Sequence, residues 1–351
     1  MSYPLLRKRV GSAGLLDRSL WNYRYLLLIT LALGALSAYI LFNAEGLWIL
    51  LAVPTLSLFW MQIGFFGHDA GHNQVFENTK LNRFFGYLCF PVMLGMSFRP
   101  WVIRHNLHHA ETNVEGTDPD LENKVIAYTE ESARDKRGFA RWLVRWQAYL
   151  FPLLAMLATV GFRMDAWSYV SGKGERLYST NRYERERRWE LVMLTTHALL
   201  WVVVPSIVLG PLRWLPVLVL GQMLFGFHMA SVFAPNHKGM PLFDEKAMPS
   251  FLEAQVLTSR NVISQNPILC AITDWMYGGL NYQIEHHLFP TMARNKLAPA
   301  RRMVREHCAS IGLAHTEESV IESWKSIFDN LNEVGRTVMV PNRQVVAPTT
   351  T

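Results

Sequence analysis

Four long apolar blocks constrain the fold of this chain more than any other feature of its sequence. They occupy residues 25–43, 47–67, 191–210 and 214–234, and none of them contains Asp, Glu, Lys or Arg. Each is close to the ~20 residues that a helix needs to cross the ~30 Å hydrocarbon layer of a bilayer. One such block could be a buried core helix, but four blocks in two close pairs predict an all-α integral membrane protein with two transmembrane hairpins.

The distribution of basic residues predicts how these spans are oriented. Residues 1–24 contain five Lys or Arg residues, whereas the turn between the first two blocks contains none. The segments 68–190 and 235–330 are also basic, so the positive-inside rule places both termini and both segments in the cytoplasm. We expect a multi-pass protein of a bacterial inner membrane. The net charge of +6 suits an anionic leaflet surface and does not call for nucleic acid as a partner.

The same blocks divide the chain into one membrane domain and two flanking segments. We expect a basic N-terminal segment over 1–24, a membrane domain over 25–330 and a flexible tail over 331–351. The two cytoplasmic portions of the domain are predicted to form a helical cap. The apolar stretch 148–162 is short for a span and favours an interfacial or re-entrant helix. If it crossed the membrane instead, every later segment would change sides.

Histidines form three clusters in this chain. "HDAGH" at 68–72 has two histidines four residues apart, whereas "RHNLHHAETN" at 104–113 places three at i, i+3 and i+4. "LNYQIEHHLFP" at 280–290 repeats that spacing with glutamine in the first position. Residues at these spacings share one face of a helix. The clustered histidines are His68, His72, His105, His108, His109, His286 and His287.

The number of clustered histidines predicts two metal ions. Imidazoles this close repel one another when protonated, whereas a metal binds them in the neutral form. Seven exceed the four ligands of a tetrahedral site. His237 follows the fourth block at the same membrane edge, and we expect it to be an eighth ligand. His228 lies inside that block, so it is either a further ligand or a hydrogen-bonded packing residue. We expect the remaining histidines to lie outside the site: His197, His307 and His315.

In order and spacing, "HDAGH", "HNLHH" and "QIEHH" resemble the three histidine boxes of the membrane fatty-acyl desaturase family. The glutamine of the third box is similar to that of the front-end branch and its bacterial relatives. Three further stretches extend the resemblance over roughly residues 45–310: "GTDPDL" at 116–121, "LTSRN" at 257–261 and "GGLNYQIEHHLFPTM" at 278–292.

The resemblance implies an oxygen-dependent enzyme with two non-haem iron ions bound almost wholly by histidine. It implies that the seven box histidines and His237 are the ligands. Gln283 stands where other branches have histidine, so it binds iron weakly, binds a bridging water or orients a ligand. Front-end members often carry a fused haem domain, which the 24 residues before the first block cannot hold. We therefore expect electrons from a separate ferredoxin or flavin reductase system.

Other residues near the boxes are candidates for supporting roles. Carboxylates could fix the tautomers of ligand rings and balance the metal charge; the candidates are Asp69, Glu285, Asp118, Asp120 and Asp274. The last three could equally be solvated loop acids. Aromatic side chains could line a channel for a long acyl chain or act as interfacial anchors; these are Phe98, Trp101, Trp275, Tyr277 and Phe289. Basic side chains could bind a phosphate of the substrate head group, or reflect the positive-inside bias alone; these are Arg99, Arg104 and Lys238.

These observations together predict a fatty-acyl desaturase that introduces a cis double bond into a long chain carried as acyl-CoA or acyl-lipid. Oxygen activated on iron is an oxidant strong enough for an unactivated alkyl chain, whereas side-chain acids and bases are not. One alternative is a di-iron lipid hydroxylase or oxygenase on the same scaffold. A second is a membrane metal carrier or sensor, which would need ligands distributed along a path through the spans.

Overall fold

The computed structural model describes residues 2–173 and 183–338. The regular secondary structure of this part of the chain is helical except for one pair of two-residue parallel strands, β1 (Asn261–Val262) and β2 (Glu317–Glu318). The predicted all-α class is confirmed. The helices are α1 Tyr3–Ser12, α2 Leu20–Asn43, α3 Ala52–Gly71, α4 Thr79–Tyr87, α5 Phe98–Ala110, α6 Glu130–Asp135, α7 Gly138–Arg145, α8 Gln147–Met156, α9 Ala158–Val170, α10 Glu184–Ala198, α11 Val204–Leu209, α12 Pro211–His237, α13 Phe251–Leu257, α14 Pro267–Met276, α15 Gln283–Leu288, α16 Leu297–Ser310 and α17 Val320–Thr337.

Four helical segments are long and apolar enough to cross a membrane, as the apolar blocks predict. They are Leu20–Asn43, Gly46–Gly71, Glu184–Leu209 and Pro211–His237. Only 17% of the apolar window of the first segment and 6% of that of the third are buried inside the protein. Apolar surface of this extent is typical of helices that face lipid.

Small residues let the central helix α3 pack closely between α2 and α12. A Cβ atom at Gly221 of α12 would lie 2.9 Å from the Trp60 ring, and one at Gly34 of α2 would lie 3.0 Å from the Phe59 ring. Glycine at both positions removes the atoms that would hold the helices apart. The aromatic side chains of α3 therefore fill the space between the helices.

Two of the spanning helices extend beyond the apolar blocks. The blocks end at residues 67 and 234, whereas α3 continues to Gly71 and α12 continues to His237. α3 ends next to Asn73, whose φ of 56° lies in the left-handed region. The added turns carry His68 and His237, and His72 is the residue that directly follows α3.

The apolar stretch 148–162 is a bent pair of helices. α8 and α9 meet at an angle of 66°, so this part of the chain does not form a straight helix. A Cβ atom at Gly226 of α12 would lie 2.7 Å from the carbonyl oxygen of Met156, the last residue of α8. The bend therefore sits against a position of α12 that has no side chain.

The remaining helices form the cap that surrounds the histidines. α1 buries Leu6 and Val10 in a cluster with α16, so the basic N-terminal segment includes a packed helix. α17 packs against α8 and buries Leu331 and Val334. The prediction of a flexible tail from residue 331 is therefore wrong for 331–337, because an amphipathic helix continues there. Residues 339–351 lie outside the described part of the chain.

Candidate metal centre

Four helices bring the clustered histidines together. α3 carries His68 and ends beside His72, while α5 carries the three histidines of the second box. α15 carries the two histidines of the third box, and α12 ends at His237. All the side chains are buried except that of His105, which is partly exposed. The i, i+3, i+4 spacing works as predicted, since each short helix presents its rings to one interior space.

The first group of histidines consists of His68, His72, His105 and His286. One ring nitrogen from each lies within 4.8 Å of the others. The Nε2 atoms of His68 and His105 are 3.2 Å apart. Two imidazole nitrogens on one tetrahedral metal, each about 2.1 Å from it, would be about 3.4 Å apart. This spacing fits a shared metal ion.

The second group consists of His108, His237 and His287, whose ring nitrogens also lie within 4.8 Å of one another. His109 lies between the two groups. Its Nε2 is 3.2 Å from Nε2 of His105, and its ring stacks on that of His287 with centroids 4.1 Å apart. The prediction that eight histidines meet is matched by the geometry, which divides them into two adjacent groups.

Outer hydrogen bonds fix the tautomer of four of these rings. Nδ1 of His68 lies 3.1 Å from Asp69 Oδ1, and Nδ1 of His108 lies 3.0 Å from Asp118 Oδ1. Nδ1 of His237 and of His287 face oxygens of Thr258 and Gln255 at 3.0 and 2.8 Å. Because these oxygens are acceptors, each Nδ1 carries the proton and each Nε2 keeps a lone pair. Metal-binding histidines are commonly oriented in this way.

Several buried ring nitrogens have no hydrogen-bonding partner within residues 2–173 and 183–338: His72 Nε2, His109 Nδ1, His286 Nδ1, His286 Nε2 and His287 Nε2. An unpaired buried polar atom is costly. Burial, reinforced by the charge that the neighbouring rings would carry, also lowers the pKa of His72, His105, His109, His286 and His287. Neutral rings with unshared lone pairs are the form that binds a metal, so this donor set fits one.

Comparison with known proteins shows the family to which the chain belongs. The profile of the family described as "Fatty acid desaturase" matches residues 45–319. The chain belongs to the fatty acid desaturase family. It is 30% identical to a Delta(8)-fatty-acid desaturase of Euglena gracilis over 88% of this chain and 73% of that protein. It is 29% identical to a Delta(5) fatty acid desaturase of Caenorhabditis elegans over 90% of this chain and 69% of that protein.

A third relative is a Delta(6)-fatty-acid desaturase of Caenorhabditis elegans. It is 26% identical over 96% of this chain and 75% of that protein. Family membership makes the present chain an oxidoreductase of the membrane, and the predicted resemblance is confirmed.

Among the predicted carboxylates of this desaturase, Asp118 has the most complete set of contacts. Both of its oxygens lie within 3.1 Å of His108 Nδ1, and they accept hydrogen bonds from the backbone N–H groups of Asn113 and Asp120. Burial opposes its ionisation, but His108 outweighs burial and lowers the pKa of Asp118 to about 2. The Asp120 carboxylate is half-exposed and lies 3.7 Å from His108 Nδ1.

Two other predicted carboxylates do not hold a ligand ring. Glu285 is fully buried, but its oxygens lie 2.8 Å from Asn261 Nδ2 and 3.2 Å from His315 Nε2. Asp274 accepts hydrogen bonds from Asn281 and Tyr282. Neither acid contacts a ligand ring, because Glu285 pairs with Asn261 and His315 and Asp274 pairs with Asn281 and Tyr282. His315, which the sequence predicts to lie outside the site, contacts the buried carboxylate of Glu285, the residue before His286.

Gln283 and His228 differ in their relation to the histidine groups. The Gln283 side-chain nitrogen lies 2.8 Å from His237 Nε2, and its oxygen accepts a hydrogen bond from Asn236. His228 Nε2 lies 2.8 Å from the carbonyl oxygen of Met276. Of the two roles predicted for His228, the structure therefore supports hydrogen-bonded packing and not metal binding.

Three contacts of the site were not predicted from the sequence. Gln255 and Thr258 hold rings of the second group through α13 and its C-terminal end. Arg294 forms an ion pair with Asp69, with Nε 2.7 Å from Oδ2. "LTSRN" was a signal for Thr258, because it extends the family resemblance. No local spacing marks Gln255 or Arg294.

The predicted basic residues are largely committed to structural contacts. Arg104 donates to the carbonyl oxygen of Pro119, and Lys238 donates to that of Asp120. The Arg99 guanidinium lies 4.8 Å from the centre of the Tyr183 ring. It also lines a cavity of about 260 Å³, whose lining residues are Arg83, Tyr87, Arg99, Glu186, Trp189 and Met193.

Among the predicted aromatic residues, Trp101 packs against the histidines. Its ring stacks on His105 at 4.5 Å and lies 5.7 Å from His68. Phe98 is the next ring along this face of α5, 6.4 Å from Trp101. Phe289 instead packs with Tyr3 of α1. Trp101 and Phe98 therefore form an aromatic wall that leads from the histidines along α5.

Proposed function

We propose that this desaturase introduces a cis double bond into a long acyl chain with two non-haem iron ions, O2 and a separate ferredoxin or flavin reductase system. Two hydrogens of the chain, two electrons from the donor and two protons would convert one O2 to two water molecules. The observation that carries the proposal is the pair of buried histidine groups with inward lone pairs. Bound iron would supply the oxygen activation that an unactivated C–H bond requires.

The two groups suggest how the ligands are shared. We assign His68, His72, His105 and His286 to one iron, because these rings converge. His108, His237 and His287 would bind the other. His109 lies between the groups and would complete the set of eight.

Gln283 belongs to the second iron position in this proposal. Its amide nitrogen lies 2.8 Å from His237 Nε2, the ring atom that would bind the metal. A half-turn of the amide would bring its oxygen to that place. The turned nitrogen would then face the Asn236 side-chain nitrogen, so the Asn236 amide would turn as well and present its oxygen, which has no partner within residues 2–173 and 183–338. Either orientation makes the glutamine a polar neighbour of the second iron.

The Arg99 cavity is the candidate for binding the polar end of the substrate. Arg83 and Arg99 provide positive charge suited to phosphate, while Glu186 in the same lining opposes a second anionic group. Arg99 precedes His105 by six residues of α5, which corresponds to about 9 Å along the helix axis. A chain anchored here would pass Trp101 before reaching the first histidine group.

The cytoplasmic location of the site is also a proposal. The positive-inside distribution places the cap, both termini and the histidines on the cytoplasmic side. A bacterial inner membrane would then supply the acyl lipid and bring the site within reach of a soluble electron donor. Cysteine labelling from each side of sealed vesicles tests this orientation, and labelling of the cap from the periplasmic side would contradict it.

The ligand assignment is tested by comparing two buried histidines. His286→Ala should abolish turnover and lower the iron content from about two per chain while the protein remains inserted in the membrane. His307→Ala is the matched control, because His307 is buried on α16 outside both groups. Equal iron content in the two variants would contradict the assignment.

Product analysis separates the desaturase from the two alternatives. Expression in a host that lacks the activity should yield acyl chains lighter by two hydrogens, and chemical cleavage should locate the double bond. Chains that gain oxygen would support the lipid hydroxylase. A stoichiometric zinc protein without iron would support a metal carrier or sensor, although ligands gathered in one place argue against transport.

A further inference from the structure

Each histidine group has one ring that is held from behind by a buried aspartate. Asp69 holds His68 of the first group, and Asp118 holds His108 of the second. Both aspartates have at most 2% of their surface exposed. The two arrangements look alike at the ring, but they differ at the far side of each carboxylate.

Behind Asp69 stands a full positive charge. Arg294 Nε donates to Asp69 Oδ2 at 2.7 Å, and Nη2 lies 2.7 Å from the same oxygen. The guanidinium is buried and lies 5.3–5.6 Å from the ring centres of Tyr23, Phe65 and Phe66. The charges of the carboxylate and the guanidinium therefore cancel one another in a buried environment that is partly aromatic.

Behind Asp118 stand mainly backbone dipoles. Its oxygens accept from the N–H groups of Asn113 and Asp120 at 2.8 and 2.9 Å. Lys238 is the neighbouring cation, and its ammonium donates to the carbonyl oxygen of Asp120. The Asp120 carboxylate adds a further negative charge 3.7 Å from His108. Two carboxylates and one ammonium leave this side with a net negative charge.

We infer that Arg294 is a positioning residue that neutralises the surroundings of the first iron position and thereby distinguishes it from the second. The inference rests on the proposed pair of irons. Outer partners of a ligand histidine change the electron density that it gives to a metal, and charges a few ångströms apart interact strongly inside a protein. The groups behind the first iron position, Asp69 and Arg294, would have no net charge, whereas those behind the second would have a net negative charge.

The backbone at Gly279 packs closely against this arginine. A Cβ atom at Gly279 would lie 3.1 Å from Arg294 Cβ, and Gly279 has a φ of +84° that favours glycine. The fork of the guanidinium places two nitrogens on one oxygen while its flat face meets the rings. Lysine could restore the charge but not this combination of contacts.

Mössbauer spectra of the purified full-length chain loaded with ⁵⁷Fe test the inference. Arg294→Gln should shift the quadrupole splitting of one iron component by more than its line width, or remove that component, and leave the other unchanged. Asp118→Asn should affect the other component. The double variant Asp69→Asn with Arg294→Gln removes both charges and should return the first component towards its wild-type position. Arg294→Lys should shift it less than Arg294→Gln.

Arg260→Gln is the control, because Arg260 is also a buried arginine but its guanidinium contacts Glu318 and the carbonyl oxygen of Lys238, not a carboxylate behind a histidine ring. It should lower thermal stability in detergent and leave both iron components in place. The inference is overturned if Arg294→Gln leaves both components unchanged, or if Arg294→Gln and Asp118→Asn affect the same one. Equal loss of both components without recovery in the double variant would also overturn it. Wild-type protein that binds no iron would instead contradict the proposed function.

Discussion

Replacing Asp118 with asparagine changes one oxygen of a buried carboxylate into an amide nitrogen of nearly the same size. In the wild-type chain that carboxylate accepts from three donors, which are His108 Nδ1–H and the backbone N–H groups of Asn113 and Asp120. The amide has one acceptor oxygen, so its NH2 group must face at least one of these donors. His108 would then lose the partner that fixes its tautomer, or a buried backbone N–H would lose its acceptor.

The expected magnitude follows from these contacts. A hydrogen bond to a charged group contributes about 1.5–3 kcal/mol. Loss of an outer partner of a metal-binding histidine typically weakens metal affinity about 10–100-fold, or about 1.4–2.7 kcal/mol. The two estimates agree, so we expect Asp118→Asn to lower iron affinity by about one to two orders of magnitude. The larger loss is expected if His108 changes tautomer.

Iron retained per chain after equilibration with graded chelator concentrations measures this change. Asp120→Asn is the control, since its half-exposed carboxylate lies 3.7 Å from His108 and beyond hydrogen-bond distance. We expect it to change the free energy of iron binding by about 1 kcal/mol or less. The reasoning is refuted if Asp118→Asn binds iron as tightly as the wild type, or if Asp120→Asn weakens binding more.

Three further predictions concern packing, substrate binding and the limits of the metal site. Gly226→Ala places a Cβ atom 2.7 Å from the Met156 carbonyl and should cost about 1–3 kcal/mol in detergent unfolding. Gly161→Ala, where nothing lies within 4 Å, should be neutral or stabilising. Arg99→Gln should raise KM for a phosphate-bearing acyl substrate several-fold with iron content unchanged, and an unaltered KM would contradict head-group binding. His228→Gln should retain both irons in metal analysis, since its ring bonds to α14; loss of one would make it a ligand.

The spans and the boxes could be predicted because both are encoded locally. An apolar run of sufficient length predicts a spanning helix wherever it occurs, and histidines at i, i+3 and i+4 share a face whatever surrounds them. The apolar blocks end before α3 and α12 do, because a hydropathy pattern marks the edge of the lipid, whereas a helix ends where its backbone hydrogen bonding ends. His68, His72 and His237 lie beyond the hydropathy edge and are still on helices or directly beside them.

The outer layer of the site could be predicted only in part. Asp69 and Asp118 lie close in sequence to their histidines, and each contacts Nδ1 of its histidine ring. Glu285 is equally close to His286, but its side chain faces Asn261 and His315. The Asp69–Arg294 pair joins segments 225 residues apart. No local pattern records such a pairing, because it depends on how α3 meets the loop after α15.

The division of both histidine groups between early and late parts of the chain has a consequence for biosynthesis. The first two boxes leave the ribosome long before α15, and domains assemble as the chain emerges from its N-terminus. His286 and His287 are thus the last of the grouped histidines to be made, and neither group is complete without them. Metal binding is coupled to folding, so a stalled or truncated chain would present an open, partly liganded metal site. If the histidines bind iron as proposed, stable iron loading would require that α15 has already been translated, so α15 would set the earliest time at which the centre can form.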